Sequence, residues 1–262
     1  MSTNFEAPVE VRGIEKKIIS FSYHNGYEVG QVFDDFLRYI IWAFSLDGKP
    51  IDNWRYKKEQ GLQFYELLQE WIKVMNEQLG SKEWYDAFGD LYISCVASSG
   101  RKNSKGQFFT PPHICDLMQL INDQNTNTNQ IASDPTCGSG RTLLAWHVHH
   151  LGNYLCAEDI DSTCCMMTAC NFIIHGCIGE IVWHDSLNPE TYYHGWKVNE
   201  NLNNPYHEHF GIPHIRSIQK EESKVWRKWQ AMKQERYEAQ AKTPSLIESN
   251  KKIQPIQLDL FG

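Results

Sequence analysis

The chain has 262 residues, 41% of them hydrophobic, which is enough for one large domain or a core with an appendage. Its formal net charge of −7 is unfavourable for gripping DNA unaided, because Lys and Arg supply much of such binding by neutralising phosphates. No apolar run approaches a membrane-spanning length, and the amino terminus lacks a charged segment followed by an apolar stretch, so a cytoplasmic protein without membrane contact is expected.

Residues 1–100 read as a helical N-terminal domain. Residues 29–45 carry Val32, Phe33, Phe36, Leu37, Ile40, Ile41 and Phe44 at helical spacing. Residues 59–79 repeat the pattern with Phe64, Leu67, Leu68, Trp71, Ile72 and Met75, and both stripes are most simply core packing. A third helix is predicted over residues 84–98. Arg101, Lys102 and Lys105 then concentrate positive charge ahead of Gly106-Gln107-Phe108-Phe109-Thr110-Pro111-Pro112. Residues 122–130 are rich in Asn and Thr and read as a surface loop.

Ile131-Ala132-Ser133-Asp134-Pro135-Thr136-Cys137-Gly138-Ser139-Gly140 reads as a strand ending in a glycine-rich turn. Glycines there reach backbone angles closed to other residues and let a ligand approach the main chain. A helix over residues 141–150 would present its free N–H groups to that ligand. Cys137 has no activating partner in the sequence and reads as a small residue filling the turn. A second strand, from Tyr154, ends in the acids Glu158, Asp159 and Asp161, with Ile160 between them. Taken alone, Asp159 and Asp161 suit helix capping. Cys164, Cys165 and Cys170 fall in an apolar helix and read as buried thiols rather than a disulfide framework. His147, His149 and His150 cluster without a Cys-x-x-Cys pair, so no metal site is expected. A third strand is predicted in Ile181-Val182-Trp183-His184-Asp185-Ser186-Leu187.

The Gly-Gln-Phe-Phe-Thr-Pro and Asp-Pro-Thr-Cys-Gly-Ser-Gly elements, in this order and spacing, resemble the adenine-N6 DNA methyltransferases, specifically the modification (M) subunits of type I restriction-modification systems. Ala87-Phe88-Gly89-Asp90-Leu91-Tyr92 is similar to the segment preceding the first element in that family, and Asn171-Phe172-Ile173-Ile174-His175-Gly176 to its Asn-Leu-x-x-His-Gly. The resemblance covers residues from about 84 to 187. It implies an α/β fold with a Rossmann-like methyltransferase sheet, S-adenosylmethionine as cofactor and DNA as substrate. Phe109, Thr110, Pro111, Asp134, Pro135, Thr136, Cys137, Gly138, Ser139 and Gly140 would line the cofactor pocket. Asp159 would hold the ribose hydroxyls beside Ile160, since a carboxylate can accept two hydrogen bonds from a diol, and Asp185 would lie beside the adenine. A separate specificity subunit would do most of the sequence reading.

Beyond Leu187 the chain departs from that family. The enzymes supply Asn-Pro-Pro-Tyr/Phe, in which the Asn side chain and a Pro carbonyl accept the adenine amine hydrogens while the ring stacks on the flipped base. The nearest approximation is Asn203-Asn204-Pro205-Tyr206, which is also an ordinary turn sequence. Residues 211–216 offer one short strand and residues 220–242 a charged helix. The sheet is therefore expected to be truncated after the third strand or completed by a partner. The expected organisation is a helical domain (1–100), a cofactor-binding domain (101–215), a charged helix and linker (216–250) and a flexible tail (251–262). In that tail Gln257, Leu258, Asp259, Leu260 and Phe261 resemble the pentapeptide that docks bacterial proteins on the sliding clamp, a short extended motif whose apolar end enters a pocket. Three functions remain open from sequence: an adenine-N6 DNA methyltransferase, alone or completed by a partner; a catalytically degenerate regulatory module recruited to the clamp; and a methyltransferase acting on something other than DNA, against which the DNA-family motifs speak.

Overall fold

The computed structural model describes residues 7–96, 109–122, 129–188 and 190–242. Four helices come first: α1 (Arg12–Asn25), α2 (Val29–Ala43), α3 (Lys58–Leu79) and α4 (Ala87–Cys95). In α2 the stripe Val32, Phe33, Phe36, Leu37 and Ile40 is fully buried, whereas Ile41 and Phe44 are only partly covered, and in α3 Ile72 faces solvent. Helix α1 was not anticipated, although Ile14, Ile18 and Phe21 form a buried stripe at helical spacing.

There follow α5 (Pro112–Asn122), β1 (Ile131–Asp134), α6 (Arg141–His147), β2 (Tyr154–Asp159), α7 (Ser162–Ile174) and β3 (Ile178–Trp183). The chain closes with β4 (His194–Val198), β5 (Ile215–Ser217), a single 3-10 turn (Lys220–Glu222) and α8 (Lys224–Lys242). The five strands form one mixed sheet in chain order. β1, β2 and β3 run parallel, with Asp134 opposite Ala157 and Asp159 opposite Trp183. The third strand is the last parallel one, but the sheet does not stop there: β4 and β5 continue it antiparallel. β4 was not foreseen in His194-Gly195-Trp196-Lys197-Val198, and α6 ends at His147 rather than at residue 150.

α7 is the axis of the molecule, buried from Thr163 to Phe172 and Ile173. Asp161 caps it, accepting the Thr163 N–H at 2.8 Å. Its Cys164, Met167 and Cys170 pack with the amino-terminal helices, and its Cys165, Ala169 and Phe172 pack with the sheet. All eight cysteines are free and buried, so burial pushes the Cys137, Cys165, Cys170 and Cys177 thiols well above their ordinary pKa.

The opposite face of the sheet is covered by α8, held through two buried glutamates. Glu180 on β3 accepts the N–H groups of Lys224 (3.0 Å) and Val225 (2.7 Å) and the Ser223 hydroxyl (2.9 Å), so it caps the helix from the sheet. Glu158 on β2 accepts the Trp229 indole N–H at 3.0 Å and pairs with His184 at 2.7 Å. Among the described residues no helix is long and apolar enough to cross a membrane.

Candidate cofactor site at the carboxyl ends of the parallel strands

Three carboxylates mark the carboxyl ends of three neighbouring parallel strands: Asp134 closes β1, Asp159 closes β2, and Asp185 follows β3. Adjacent strands lie about 4.8 Å apart, so the three groups share one rim of the sheet. Asp134 shapes the start of the glycine turn, accepting the Thr136 N–H at 3.0 Å and the Thr142 hydroxyl. Asp185 organises the segment after β3, accepting the Leu187 N–H at 2.9 Å while its own N–H donates to Thr191 Oγ1.

Within the turn, Gly138 and Gly140 sit at φ +57° and +87°, the left-handed region that favours glycine. A Cβ on Gly138 would lie 3.0 Å from the Phe109 ring, and one on Gly140 would lie 3.1 Å from Thr168. Thr168 also donates its hydroxyl to the Gly138 carbonyl at 3.0 Å. The turn is therefore pinned from below by α7 and closed on one side by Phe109, whose ring meets Tyr92 at 5.3 Å. Arg141 Nη1 reaches the Thr110 carbonyl at 3.4 Å, so Phe109 and Thr110 meet the turn although the chain between them is long. Pro111 accepts the Ile114 N–H at 2.9 Å and opens α5. Pro135 and Thr136 are exposed on the turn's outer side, and Ser139 and Cys137 are buried beneath it.

Asp159 does not cap α7. Its carboxylate accepts the Gly138 N–H at 2.9 Å and the Asp161 N–H at 2.8 Å, so it clips the glycine turn to the end of β2. Burial pushes its pKa above the usual carboxylate value, and the two N–H groups pull it part of the way back. A carboxylate offers about four acceptor positions, and two N–H groups leave room for a diol. Beside it Ile160 is 64% exposed, an apolar surface next to a polar clip.

Beneath the turn lies a buried polar network that joins Gly89, Asp90, Asn171 and His175, from two of the blocks singled out in the sequence, to Asp86 and Arg141, which no sequence pattern announced. Asp86 accepts Ser139 Oγ at 2.5 Å, Arg141 Nε at 2.6 Å, Asn171 Nδ2 at 2.8 Å and the Gly89 N–H at 2.8 Å. Arg141 also donates to Asp90 at 2.8 Å, and Asn171 to the Ser139 carbonyl at 2.8 Å. Burial works against the Arg141 charge, but Asp86 and Asp90 more than offset it and hold the pKa above its ordinary value. For Asp90 burial outweighs the guanidinium, and its pKa is raised. Gly89 is required here, because a Cβ would lie 2.0 Å from Asp86 Oδ2. The network continues to His175, whose Nδ1 bonds the Asn171 carbonyl at 2.7 Å while Nε2 accepts the Tyr85 N–H at 3.2 Å. Apart from Gly89, which Asp86 reaches as the cap of α4, its partners are 53 to 85 residues away in sequence.

Asn203, Asn204, Pro205 and Tyr206 are not brought to this rim. β4 begins opposite Trp183 and ends with Val198 opposite Gly179, so the chain leaves it at the amino ends of β1–β3. The tetrapeptide lies in the turns between β4 and β5, where Asn204 Oδ1 accepts the Tyr206 N–H at 3.1 Å and the Tyr206 ring is 97% exposed. The physical reason is the reversed direction of the preceding strand, which carries the segment away from the glycine turn. Gly106, Gln107 and Phe108, and Gln257, Leu258, Asp259, Leu260 and Phe261 of the tail, lie outside the described residues.

Residues 83–243, more than half of the chain, match the family described as N-6 DNA Methylase. A curated relative, the type I restriction enzyme MjaVII methylase subunit of Methanocaldococcus jannaschii, is 28% identical over 148 residues. That match takes in 53% of this chain but only 25% of the relative, so the chain spans about a quarter of the length of the curated protein it matches. No solved structure matches the chain. The matched segment contains the glycine turn, the three strand-end carboxylates and the network beneath them, and the chain belongs to the N-6 DNA methylase family.

Proposed function

We propose that this chain is the S-adenosylmethionine-binding part of an adenine-N6 DNA methyltransferase of the type I M-subunit kind. The observation that supports it is the convergence of Asp134, Asp159 and Asp185 with the Phe109-backed glycine turn at one rim of the parallel strands. In open α/β sheets ligands bind outside the carboxyl ends of the strands. Asp159 would hold the ribose hydroxyls, Ile160 would cover an apolar ring face and Asp185 would meet the adenine edge. Thr110, Pro111, Pro135, Thr136 and the 137–140 turn would border the amino-acid end. When bound, S-adenosylmethionine would supply a methyl group activated by the positive charge of its sulfonium. The network of Asp86, Arg141 and Asn171 acts one step removed, by fixing the turn.

The net charge of −7 leaves DNA contact to be shared with another subunit. Calorimetric titration with S-adenosylmethionine, followed by a tritiated-methyl transfer assay on unmethylated DNA, tests this reading. Saturable one-to-one binding is expected; absence of binding to the folded chain would overturn it.

A further inference from the structure

A cleft of about 490 Å³ opens between the carboxyl-terminal end of α2, the connection that follows it and the β3–β5 part of the sheet. Its walls carry the rings of Trp42, Trp183, Tyr193 and Trp196, with His194 beside them. That size and lining are those of small-ligand sites, which are mostly apolar with a few convergent polar groups. Trp42 is 43% and Tyr193 56% exposed, so large rings face a concave surface that the fold leaves open. Trp183 meets Tyr193 at 5.1 Å and His194 meets Trp196 at 4.4 Å, contacts that fix their orientation. The facing wall is held as well. Residues 44–57 form no helix, and connections of this length are usually functional when ordered. Here the Leu46 N–H donates to the Ile215 carbonyl at 2.9 Å, Asp47 accepts the Ser217 N–H at 3.0 Å, and Arg38 donates to the Asp52 carbonyl.

The polar groups of the cleft are open. Among the described residues, the Trp42 and Trp196 indole N–H groups, the His194 ring and the Ser162 hydroxyl make no hydrogen bond. Burial lowers the His194 pKa against the pull of Asp47, so at neutral pH the ring offers one donor and one acceptor. Of the cations at the cleft, Arg38 is engaged by Asp35, and Arg216 by Glu200 and Glu222. Lys49 is exposed and has no carboxylate partner among the described residues. Neither the glycine turn nor Asp134, Asp159 or Asp185 lines this cleft; Trp183 links it to the cofactor rim by donating its indole N–H to the Ile160 carbonyl at 3.0 Å.

We propose that the cleft is a second ligand site that takes one nucleotide, its base among the rings of Trp42, Trp183 and Tyr193 and its phosphate at Lys49. A nucleobase offers flat faces to the rings and a polar edge to His194 and Ser162. An aliphatic ligand would leave those polar groups unpaired, and an aromatic side chain of a protein would bring no anion to Lys49. The nucleotide is either free or one unit of a single strand, since both present the same chemistry. This site goes beyond the methyltransferase reading and does not depend on it.

The full chain is titrated by calorimetry with AMP, GMP, CMP and UMP, each in the presence of saturating S-adenosylmethionine. At least one should bind one-to-one, and the matching nucleoside, which lacks the phosphate, should bind more weakly. Trp42→Ala and Tyr193→Ala should each weaken the nucleotide roughly tenfold, the scale of one stacking contact. Lys49→Glu, a change on an exposed connection that leaves the fold intact, should weaken the nucleotide but not the nucleoside. A labelled single-stranded oligonucleotide separates the two sources. Tighter binding than the mononucleotide, lost in Trp42→Ala, assigns the cleft to a nucleic-acid strand, and the reverse order assigns it to a free nucleotide. No saturable binding by any of the four would overturn the proposal, as would equal affinity in the Trp42 and Tyr193 variants. Binding seen only without S-adenosylmethionine would overturn it too, by placing the nucleotide in the cofactor pocket. Failure of S-adenosylmethionine itself to bind would instead sink the cofactor reading and leave the nucleotide titration intact.

Discussion

Two segments of this molecule compete for the role of active centre, and they are built in opposite ways. The glycine turn rests on a buried, cross-linked set of polar side chains drawn from α4, α6 and α7, whereas the β4–β5 segment with Asn203 to Tyr206 is a chain of solvent-facing turns. A site that must hold a ligand needs its groups fixed before the ligand arrives, and only the first segment has that support. Likeness of sequence alone does not distinguish a supported loop from an unsupported one; the direction of the preceding strand does.

The contrast can be broken most severely at Asp86. Asp86→Ala leaves the Arg141 guanidinium buried beside a hole, and removal of one partner of a buried pair costs about 3 to 5 kcal/mol. Chemical denaturation should register that loss, and S-adenosylmethionine affinity should fall with it. If stability changed by less than 1 kcal/mol, in the range of an exposed pair, the network would not be what holds the turn.

A pH titration reaches the same network from His175. Burial lowers its pKa from 6.5 to about 4, so the unfolded chain takes up the proton first. Stability from this group is complete above pH 6.5 and drains away as pH falls towards 4, by about 3 kcal/mol at 1.36 kcal/mol per unit. The H175N variant should flatten the stability profile in that window. An unchanged slope would remove His175 from the account.

Asp159→Asn is a finer probe, since it keeps the size of the clip and removes its charge. S-adenosylmethionine should bind about 1 to 3 kcal/mol more weakly, and the melting temperature should fall as well, because one of the Gly138 and Asp161 N–H groups would face the amide nitrogen and lose its acceptor. Equal affinity in calorimetry would take the ribose role away from Asp159. The smallest effect is expected at the other segment: Tyr206→Ala should change stability by no more than about 0.5 kcal/mol and leave cofactor affinity alone. A cofactor defect in that variant would overturn the separation of the two segments.

The residues whose role depends on local backbone were legible in the sequence. Gly138 and Gly140, Asp159 at the end of a strand and Asp185 after the next all fall where their neighbours in sequence placed them. The support beneath them was not legible, because Asp86, Arg141 and Asn171 meet across 55 and 85 residues and none of them sits in a periodic pattern. β4 escaped notice for a different reason: five residues rich in His, Gly and Lys carry little strand propensity, and pairing with β3 decides their conformation. Helix α5 was hidden by its own surface, since Leu117, Leu120 and Ile121 lie on its exposed side and break the usual inward stripe.

The glutamate cap on α8 bears on how the chain opens and how it can be cut. Because Glu180 holds the first amides of that helix from within the sheet, Lys224 and Val225 should exchange hydrogen with deuterium on the timescale of β3 rather than of a surface helix. A fragment ending before residue 224 would strip Glu180 of those amide donors and Glu158 of its indole donor, with both carboxylates still on the sheet. The practical border of the folding unit therefore lies beyond α8, and trimming designed on charge content alone would cut through its support.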